Sequence, residues 1–222
     1  MYTKYRSQVV PEIKIQTRSI EEYFKVESHL KKISQGPNGR ELLFRIKALS
    51  TRGKHTLICT VDTPSSIGAM LTREQIYRHG VSSNPDDPVH SQLMLSLARI
   101  RPDWTNNEGV VGIVKLNLQQ GIELDKYGFP TGKLNNKEHN FISLAHELVH
   151  SYNLMNGTFY GGHSVEMFKQ QHSAMRHEED RAVGIGRYRG FPVSENGVRM
   201  DHNIPLRTNY FTKDYLNRHN LI

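Results

Sequence analysis

Residues 141–156 read FISLAHELVHSYNLMN and place the pentad HELVH (146–150) inside an apolar pattern of helical period. Residues four apart lie one turn along the same face of an α-helix, so two imidazoles at this spacing can reach a single ion. HExxH is typical of zinc chelation, with the intervening glutamate as general base. The stretch therefore predicts a helix that carries two metal ligands, His146 and His150, and a catalytic base, Glu147.

An ordinary amphipathic helix with two partly buried histidines is the alternative for this stretch, because a pattern with three fixed positions also arises by chance. Apolar residues flank the His-Glu face at helical spacing, as expected of a core helix at the floor of a cleft. These residues are Phe141, Leu144, Ala145, Leu148, Val149 and Tyr152. The apolar stripe favours the metal-binding interpretation, with zinc as the ion.

The composition is that of a polar globular chain, with 222 residues, 36% of them hydrophobic, and a mean hydropathy of −0.59. This length suits one large domain. No apolar run approaches the roughly 20 residues of a membrane span, so we expect no membrane partner. The single cysteine, Cys59, lies in a strand-like segment and is expected to be a small buried hydrophobe, not a catalytic thiol.

The formal charge of +7 favours acidic partners. Basic residues are dispersed, with no long Lys/Arg block and no aromatic platform, so we expect no nucleic-acid partner. The first residues, MYTKYRSQVVPEIKIQ, lack the apolar core of a secretory signal peptide, so export would use another route. We expect a monomer. A binding module that holds an acidic partner on its basic surface, with a structural zinc, is the alternative to an enzyme.

Hydrophobic periodicity and turn residues predict an α+β order of elements. Residues 1–17 are expected to form a flexible N-terminal arm or an edge strand, followed by a single domain over 18–222. We expect further helices over about 20–33, 40–49, 73–79, 90–99 and 172–183, strands over 56–61 and 110–118, and loops over the rest of 62–87 and beyond 185. The strand over 110–118 is our candidate for the cleft edge, where an extended substrate could pair.

A catalytic zinc takes three protein ligands and an open position, so the two histidines need a partner. The metzincin pattern requires a glycine and a third histidine at positions that are Asn153 and Asn156 here, which excludes that class. In the glutamate-zincin pattern a second helix supplies a carboxylate, and 172–183 contains Glu178 and Glu179. Because adjacent helical residues point about 100° apart, one is the ligand and the other orients a ligand imidazole. Lesser candidates are His163, Glu166, His172 and His177.

Three segments together resemble one known family: HELVH, then EEDRAVG at 178–184, then SENGVRMDHNIPLRTNY at 194–210. They resemble the NleD/HopH-type zinc metalloprotease effectors of Gram-negative pathogens. The resemblance implies a virulence protein that is delivered by type III secretion into the host cytoplasm. It further implies cleavage of stress-activated host MAP kinases, between the Thr and Tyr of the activation-loop TxY motif, to block immune signalling. Another host or bacterial protein is the alternative substrate.

The same motifs are more distantly similar to the catalytic domains of clostridial neurotoxins, in which HELIH is followed by EELRTFGG. The second glutamate of that toxin segment binds zinc and falls on Glu179, which leaves Glu178 in the supporting role; Asp180 stands where the toxins have leucine. An Arg-x-x-Tyr pair of the toxin active site falls on Arg207 and Tyr210, which the resemblance implies as stabilisers of the oxyanion. The implied fold is a compact α+β glutamate-zincin with a small mixed sheet.

Overall fold

Five short strands form one mixed sheet in the computed structural model, which describes residues 2–134, 137–161 and 173–219. The strands are β1 (Thr3–Arg6), β2 (Lys14–Thr17), β3 (Thr56–Thr60), β4 (Ser66–Met70) and β5 (Val111–Leu116). Their order across the sheet is β1-β2-β3-β5-β4. The central pairs β2–β3 and β3–β5 are parallel, whereas the outer pairs β1–β2 and β5–β4 are antiparallel. The predicted α+β class with a small mixed sheet is confirmed.

The helices of the described residues pack mainly on one face of this sheet. They are α1 (Ile20–Ile33), α2 (Pro37–Leu49), α3 (Arg73–His79), α4 (Pro88–Ala98), α5 (Asn140–Met155), α6 (Ala174–Val183), α7 (Glu195–Asp201) and α8 (Lys213–Arg218). None of these helices combines the length and apolar character that a membrane span needs. The predicted helices over 20–33 and 73–79 are confirmed, and the predicted strand over 56–61 ends one residue earlier.

Helix α5 lies at the centre of the packing, as its apolar sequence requires. Every residue of the helix except Tyr152 is buried, and its neighbours include β5, α1, α2 and α7. The backbone of β5 approaches α5 closely at Gly112, where a side chain would collide with Ser151. The hydroxyl of Ser151 also lies 2.7 Å from that of Thr56 on β3. These contacts fix α5, and with it the pentad, against the middle of the sheet.

Two segments of the predicted N-terminal arm, residues 3–6 and 14–17, are strands of the sheet. β1 and β2 form an antiparallel pair, and β2 continues in parallel register along β3. Ile13 and Ile15 are fully buried in the main core. The alternation of Ile with charged residues in this segment therefore turns one face of the chain toward the core. Of the two predictions for the N-terminal segment, an arm or an edge strand, the edge strand describes β1.

The cleft-edge prediction for the strand over 110–118 is wrong, because β5 lies inside the sheet with β3 on one side and β4 on the other. β4 is, with β1, one of the two outer strands, and within the described residues its outer side is a free edge. It lies in a region where we expected mainly loops. The sequence SIGAM at 66–70 has weak β-propensity at its Gly and Ala, so its extended form depends on pairing with β5. Local sequence carried no sign of that pairing.

Two further differences concern helix boundaries. Helix α2 begins at Pro37, inside the predicted break, because proline suits the first helical position. The tail contains α7 and α8 where loops were expected. Ser194 and Thr212 cap these short helices by accepting hydrogen bonds from backbone amides three residues on.

Candidate active site

The two histidines of the pentad lie side by side on α5. Their Nε2 atoms are 3.1 Å apart, and His146 and His150 are 7% and 3% exposed. Each ring places Nε2 toward its partner and Nδ1 toward a different carboxylate. The helix therefore presents two imidazole nitrogens to one point, as the spacing predicts.

Helix α6 adds the third corner of this cluster. The Oε2 atom of Glu179 lies 3.1 Å from Nε2 of His146 and 3.3 Å from Nε2 of His150. Among the described residues, these three side chains form a group that could hold a metal ion. Tetrahedral zinc with bonds of about 2.0–2.1 Å separates its ligand atoms by about 3.3–3.4 Å. Two nitrogens and one carboxylate oxygen with sides of 3.1, 3.1 and 3.3 Å fit that ion closely.

The neighbouring carboxylate, Glu178, points to the other nitrogen of His150. Its Oε1 atom lies 3.0 Å from Nδ1 of His150 and accepts a hydrogen bond from Asn153. Its Oε2 atom accepts from the backbone of Tyr160 and from Arg181. Burial alone would raise the pKa of Glu178, but Arg181 and His150 lower it, so the carboxylate is ionised. An ionised carboxylate accepts a hydrogen bond from the Nδ1–H group and so leaves the lone pair of Nε2 for a metal.

Glu195 at the start of α7 does the same for His146, and sequence reasoning did not identify it. Its Oε2 atom lies 3.0 Å from Nδ1 of His146 and 3.0 Å from Arg207, while Oε1 accepts from Arg199 at 2.8 Å. Glu195 is fully buried. Both arginines lower its pKa against the effect of burial. The residue lies inside the tail segment that carried the family resemblance, but no spacing rule linked it to His146.

Glu147 lies on α5 between the two histidines in sequence and is 8% exposed. Burial raises the pKa of its carboxyl, and the two histidines partly offset that effect. In the metal-free protein, burial would lower the pKa of His146, yet its hydrogen bonds to Glu179 and Glu195 raise it to about 9. A carboxylate of raised pKa beside the ligand triangle has the properties of a general base.

The Arg-x-x-Tyr pair lies beside the same cluster. The Tyr210 ring stacks near His146, with centroids 6.3 Å apart. Burial, and then the charge of Glu179, raises the pKa of Tyr210 and keeps its hydroxyl protonated. Arg207 binds Glu195 and donates to the backbone carbonyls of Asn209 and Tyr210. Its described contacts are those of a residue that fixes the tail loop and the Glu195 carboxylate.

An apolar pocket of about 200 Å³ adjoins the ligand triangle. His150 and Glu179 form one end of it, and Ile67 and Ala69 of the free edge strand β4 form another part of its lining. Further lining residues are Met94, Leu95, Leu154, Phe159 and Met175. The pocket suits a large apolar side chain next to the ion site.

Of the remaining ligand candidates from the sequence, one lies among the described residues. His177 lies on α6 outside the group of three. His163, Glu166 and His172 lie outside the described residues. Asn153 stands where the metzincin pattern requires a glycine, and its side-chain amide donates a hydrogen bond to Glu178. Cys59 lies on β3, where burial raises its thiol pKa.

A sequence profile of the Peptidase_M91 family, described as "Effector protein", matches residues 12–210. This match confirms the resemblance to a peptidase effector family that the motifs indicated. No curated protein matches the chain.

Solved structures similar to this chain include three of botulinum neurotoxins, the first two from Clostridium botulinum. The catalytic domain of neurotoxin serotype F is 15% identical, with a TM-score of 0.42, over 74% of this chain and 42% of that chain. The serotype F light chain is 12% identical, with a TM-score of 0.46, over 86% and 68%. The serotype HA light chain is 13% identical, with a TM-score of 0.42, over 90% and 54%. The chain thus spans 42–68% of their lengths, and likeness this distant carries no argument about activity.

Proposed function

Because this chain belongs to the Peptidase_M91 family of effector proteins, we propose that it is a zinc-dependent endopeptidase of the glutamate-zincin type that cuts a host protein. The observation that carries the proposal is the triangle of His146, His150 and Glu179, whose sides match the ligand spacing of tetrahedral zinc. Both histidines are held by buried carboxylates, as functional zinc sites require.

When bound there, zinc would supply a Lewis acid that lowers the pKa of the attacking water and polarises the scissile carbonyl. Glu147 takes the proton of that water and passes it to the nitrogen of the leaving amine. Its burial favours this exchange, because a raised pKa makes the carboxylate a stronger base. Glu178 and Glu195 hold the imidazoles in the tautomer that exposes Nε2.

The tail supplies the group that stabilises the carbonyl oxygen as it gains charge. The ring of Tyr210 stacks near His146, and its protonated hydroxyl would donate a hydrogen bond to that oxygen. Arg207 acts by positioning: it joins the backbone of Tyr210 to the carboxylate of Glu195. The oxyanion role that the resemblance implies is therefore assigned to Tyr210, with Arg207 as its support.

The free edge of β4 is the place where an extended substrate would pair. Ile67 and Ala69 on that strand line the apolar pocket beside the ligand triangle, so a paired segment would place one side chain in the pocket. For the substrate itself we propose the activation loop of a stress-activated host MAP kinase, as the resemblance implies, reached by type III secretion into the host cytoplasm.

The test is mass spectrometry of purified MAP kinases after incubation with wild type and with Glu147→Gln. We expect wild type to produce one cut within the activation loop and the variant to produce none, while both proteins bind one zinc. Cleavage by the variant at the wild-type rate would contradict the mechanism. A cut in another protein, with intact kinases, would change the substrate and leave the mechanism standing.

A basic binding module with a structural zinc is the second candidate, favoured only by the net charge of +7. It predicts that wild type cuts no protein and that loss of Glu179 unfolds the chain, whereas loss of Glu147 changes nothing.

A further inference from the structure

The outer face of the sheet, opposite α5, carries a row of cationic and apolar side chains. The strand register places Arg6 opposite Lys14, Lys14 opposite Leu57, and Leu57 opposite Ile113, so all four lie on one face. On the inner face, Ile15, Ile58 and Val114 are fully buried, whereas Lys14 is exposed and Ile113 half-buried. The outer face is thus exposed at Lys14, whereas Leu57 and Val111 at its bottom are buried.

A concavity of about 690 Å³ lies on this face, where all five strands contribute to its lining. Its cationic and imidazole groups are Lys4, Lys14, Arg52, His55 and Arg73. Its floor is apolar, with Leu57, Met70, Leu71 and Val111. Glu74 is the acidic residue of its described lining. We call this surface the basic groove.

The cations of the basic groove have no carboxylate partners within the described chain. No ion pair within the described chain involves Lys4, Lys14 or Arg73. Elsewhere on the surface, each of three arginines pairs with a carboxylate: Arg18, Arg45 and Arg78. Burial, and then Arg6, Lys4 and Arg73, lowers the pKa of Lys14. Like charges held together in this way repel one another and attract an anionic partner.

The dimensions of the groove decide what kind of anion fits. Neighbouring strands lie about 4.8 Å apart, so a surface that crosses five strands is about 19 Å long. That length matches about six residues of extended chain and exceeds any single phosphate or carboxylate. A concave surface does not match a flat bilayer, and the described lining contains no Phe, Tyr or Trp on which nucleotide bases could stack.

We propose that the basic groove binds an acidic segment, with interspersed apolar residues, of the protein that this peptidase cleaves. The inference rests on the proposed function, since it adds a second contact for the same substrate. Carboxylates of the segment would meet Lys4, Lys14 and Arg73, and apolar side chains would lie on Leu57 and Met70. Met70 ends the strand β4, whose Ile67 and Ala69 point to the inner face and line the pocket beside the ligand triangle. A substrate that passes over this edge of the sheet would engage both surfaces.

Binding is tested with a labelled peptide of about ten residues, composed of glutamate and leucine, by fluorescence anisotropy. The groove variant is Lys14→Glu with Arg73→Glu; a carboxylate in the first turn of α3 suits the helix dipole, so this variant should fold. The matched control is Lys25→Glu with Lys31→Glu, which makes the same charge change on exposed α1 positions outside the groove. We expect at least a roughly tenfold loss of affinity in the groove variant alone, and weaker wild-type binding at high salt.

Equal binding by both variants would overturn the inference, as would wild-type preference for a phosphatidylserine vesicle or a single-stranded oligonucleotide over the peptide. A glutamine-leucine peptide that bound as well as the glutamate-leucine peptide would also overturn it.

A cleavage assay is the second part of the test. The groove variant should raise KM for an intact protein substrate and leave the cleavage of a short scissile peptide unchanged. Equal loss on both substrates would overturn the docking role. If wild type cuts neither substrate, the proposed function fails, while the peptide titration still decides whether the groove binds acidic segments.

Discussion

Helix α5 and the tail segment 194–210 contribute to the same site in opposite ways. Under the proposed function, α5 supplies two ligands and the base within five consecutive residues, on a helix whose residues are nearly all buried. The tail supplies Glu195, Arg207 and Tyr210, spread over sixteen residues of short helix and loop. The first arrangement is fixed by helical periodicity, whereas the second depends on hydrogen bonds between distant residues, such as Glu195 with His146.

The difference indicates a division of labour. Under the proposed function, α5 carries two ligands and the base, whereas the tail adds the hydroxyl of Tyr210 and positions the other groups: Glu195 orients an imidazole, and Arg207 fixes the loop that carries Tyr210. Substitutions in the tail should therefore change rate, metal affinity and stability separately, whereas substitutions in the pentad should abolish the function outright.

The largest tail effect should come from Tyr210→Phe. Loss of a donor to the developing oxyanion lowers kcat by about a hundredfold in typical enzymes, with little change in KM. Zinc content should stay at the wild-type value, because Tyr210 is not part of the ligand triangle. The matched control is Tyr215→Phe on α8. If both variants retain full kcat, the tail has no catalytic group and the comparison fails.

Glu195→Gln and Glu178→Gln compare the two carboxylates that hold the histidines. Each substitution should weaken zinc affinity by about 10- to 100-fold, measured by chelator competition. Glu195→Gln should cost more stability, about 3 kcal/mol or more, because it leaves Arg199 and Arg207 buried without a counter-charge. Glu178 pairs with a single arginine, Arg181, which is more exposed than Arg199 and Arg207. The Glu178 substitution should therefore cost less stability.

Glu41→Gln is the control for this stability difference. Glu41 pairs with Arg45 at the same i,i+4 spacing as Glu195 with Arg199, and at nearly the same distance, 2.7 against 2.8 Å. The Glu41 pair is exposed, so its loss should change the free energy of unfolding by no more than about 0.5 kcal/mol. A Glu195 variant as stable as the Glu41 variant in chemical denaturation would show that the tail does not depend on this carboxylate.

The apolar pocket tests the α5 side of the comparison, since Leu154 and His150 belong to its lining and the tail does not contribute. Ala69→Phe should fill it and reduce cleavage of peptides with a large apolar residue beside the scissile bond about tenfold relative to peptides with alanine there. Ser66→Phe, at the far end of β4 and outside the pocket, is the control. If Ala69→Phe cleaves all these peptides with the same preference as wild type, the pocket does not select the substrate.

The smallest expected effect is the change in stability with pH that His29 causes. Burial, with Lys32 and Lys25 nearby, lowers the pKa of His29 to about 4. The unfolded chain, with a histidine pKa near 6.5, then binds the proton more readily, so stability falls as the pH drops below about 6.5. Relative to His29→Gln, wild type should lose about 1 kcal/mol between about pH 7 and about pH 5.5 in urea titrations. If the free energy of unfolding differs between wild type and His29→Gln by the same amount at both pH values, His29 is solvated.

The same contrast explains how far the sequence allowed prediction. The pentad follows from helical spacing, which is local, so His146, Glu147 and His150 could be named in advance. Spacing left Glu178 and Glu179 as alternatives, and the resemblance to the toxin segment favoured Glu179. Glu195 could not be named in advance, because its contact with His146 joins residues 49 apart and follows no periodic rule. The edge strand β4 was missed for a related reason: its extended form comes from its partner β5 and not from its own residues.

The most direct test of the site is a crystal structure of the zinc-loaded protein with anomalous diffraction at the zinc edge. We expect one strong peak about 2.0–2.2 Å from Nε2 of His146, Nε2 of His150 and an oxygen of Glu179, with Glu178 and Glu195 still bound to the outer nitrogens. A peak bonded to other residues, or no peak at these three, would contradict the assignment.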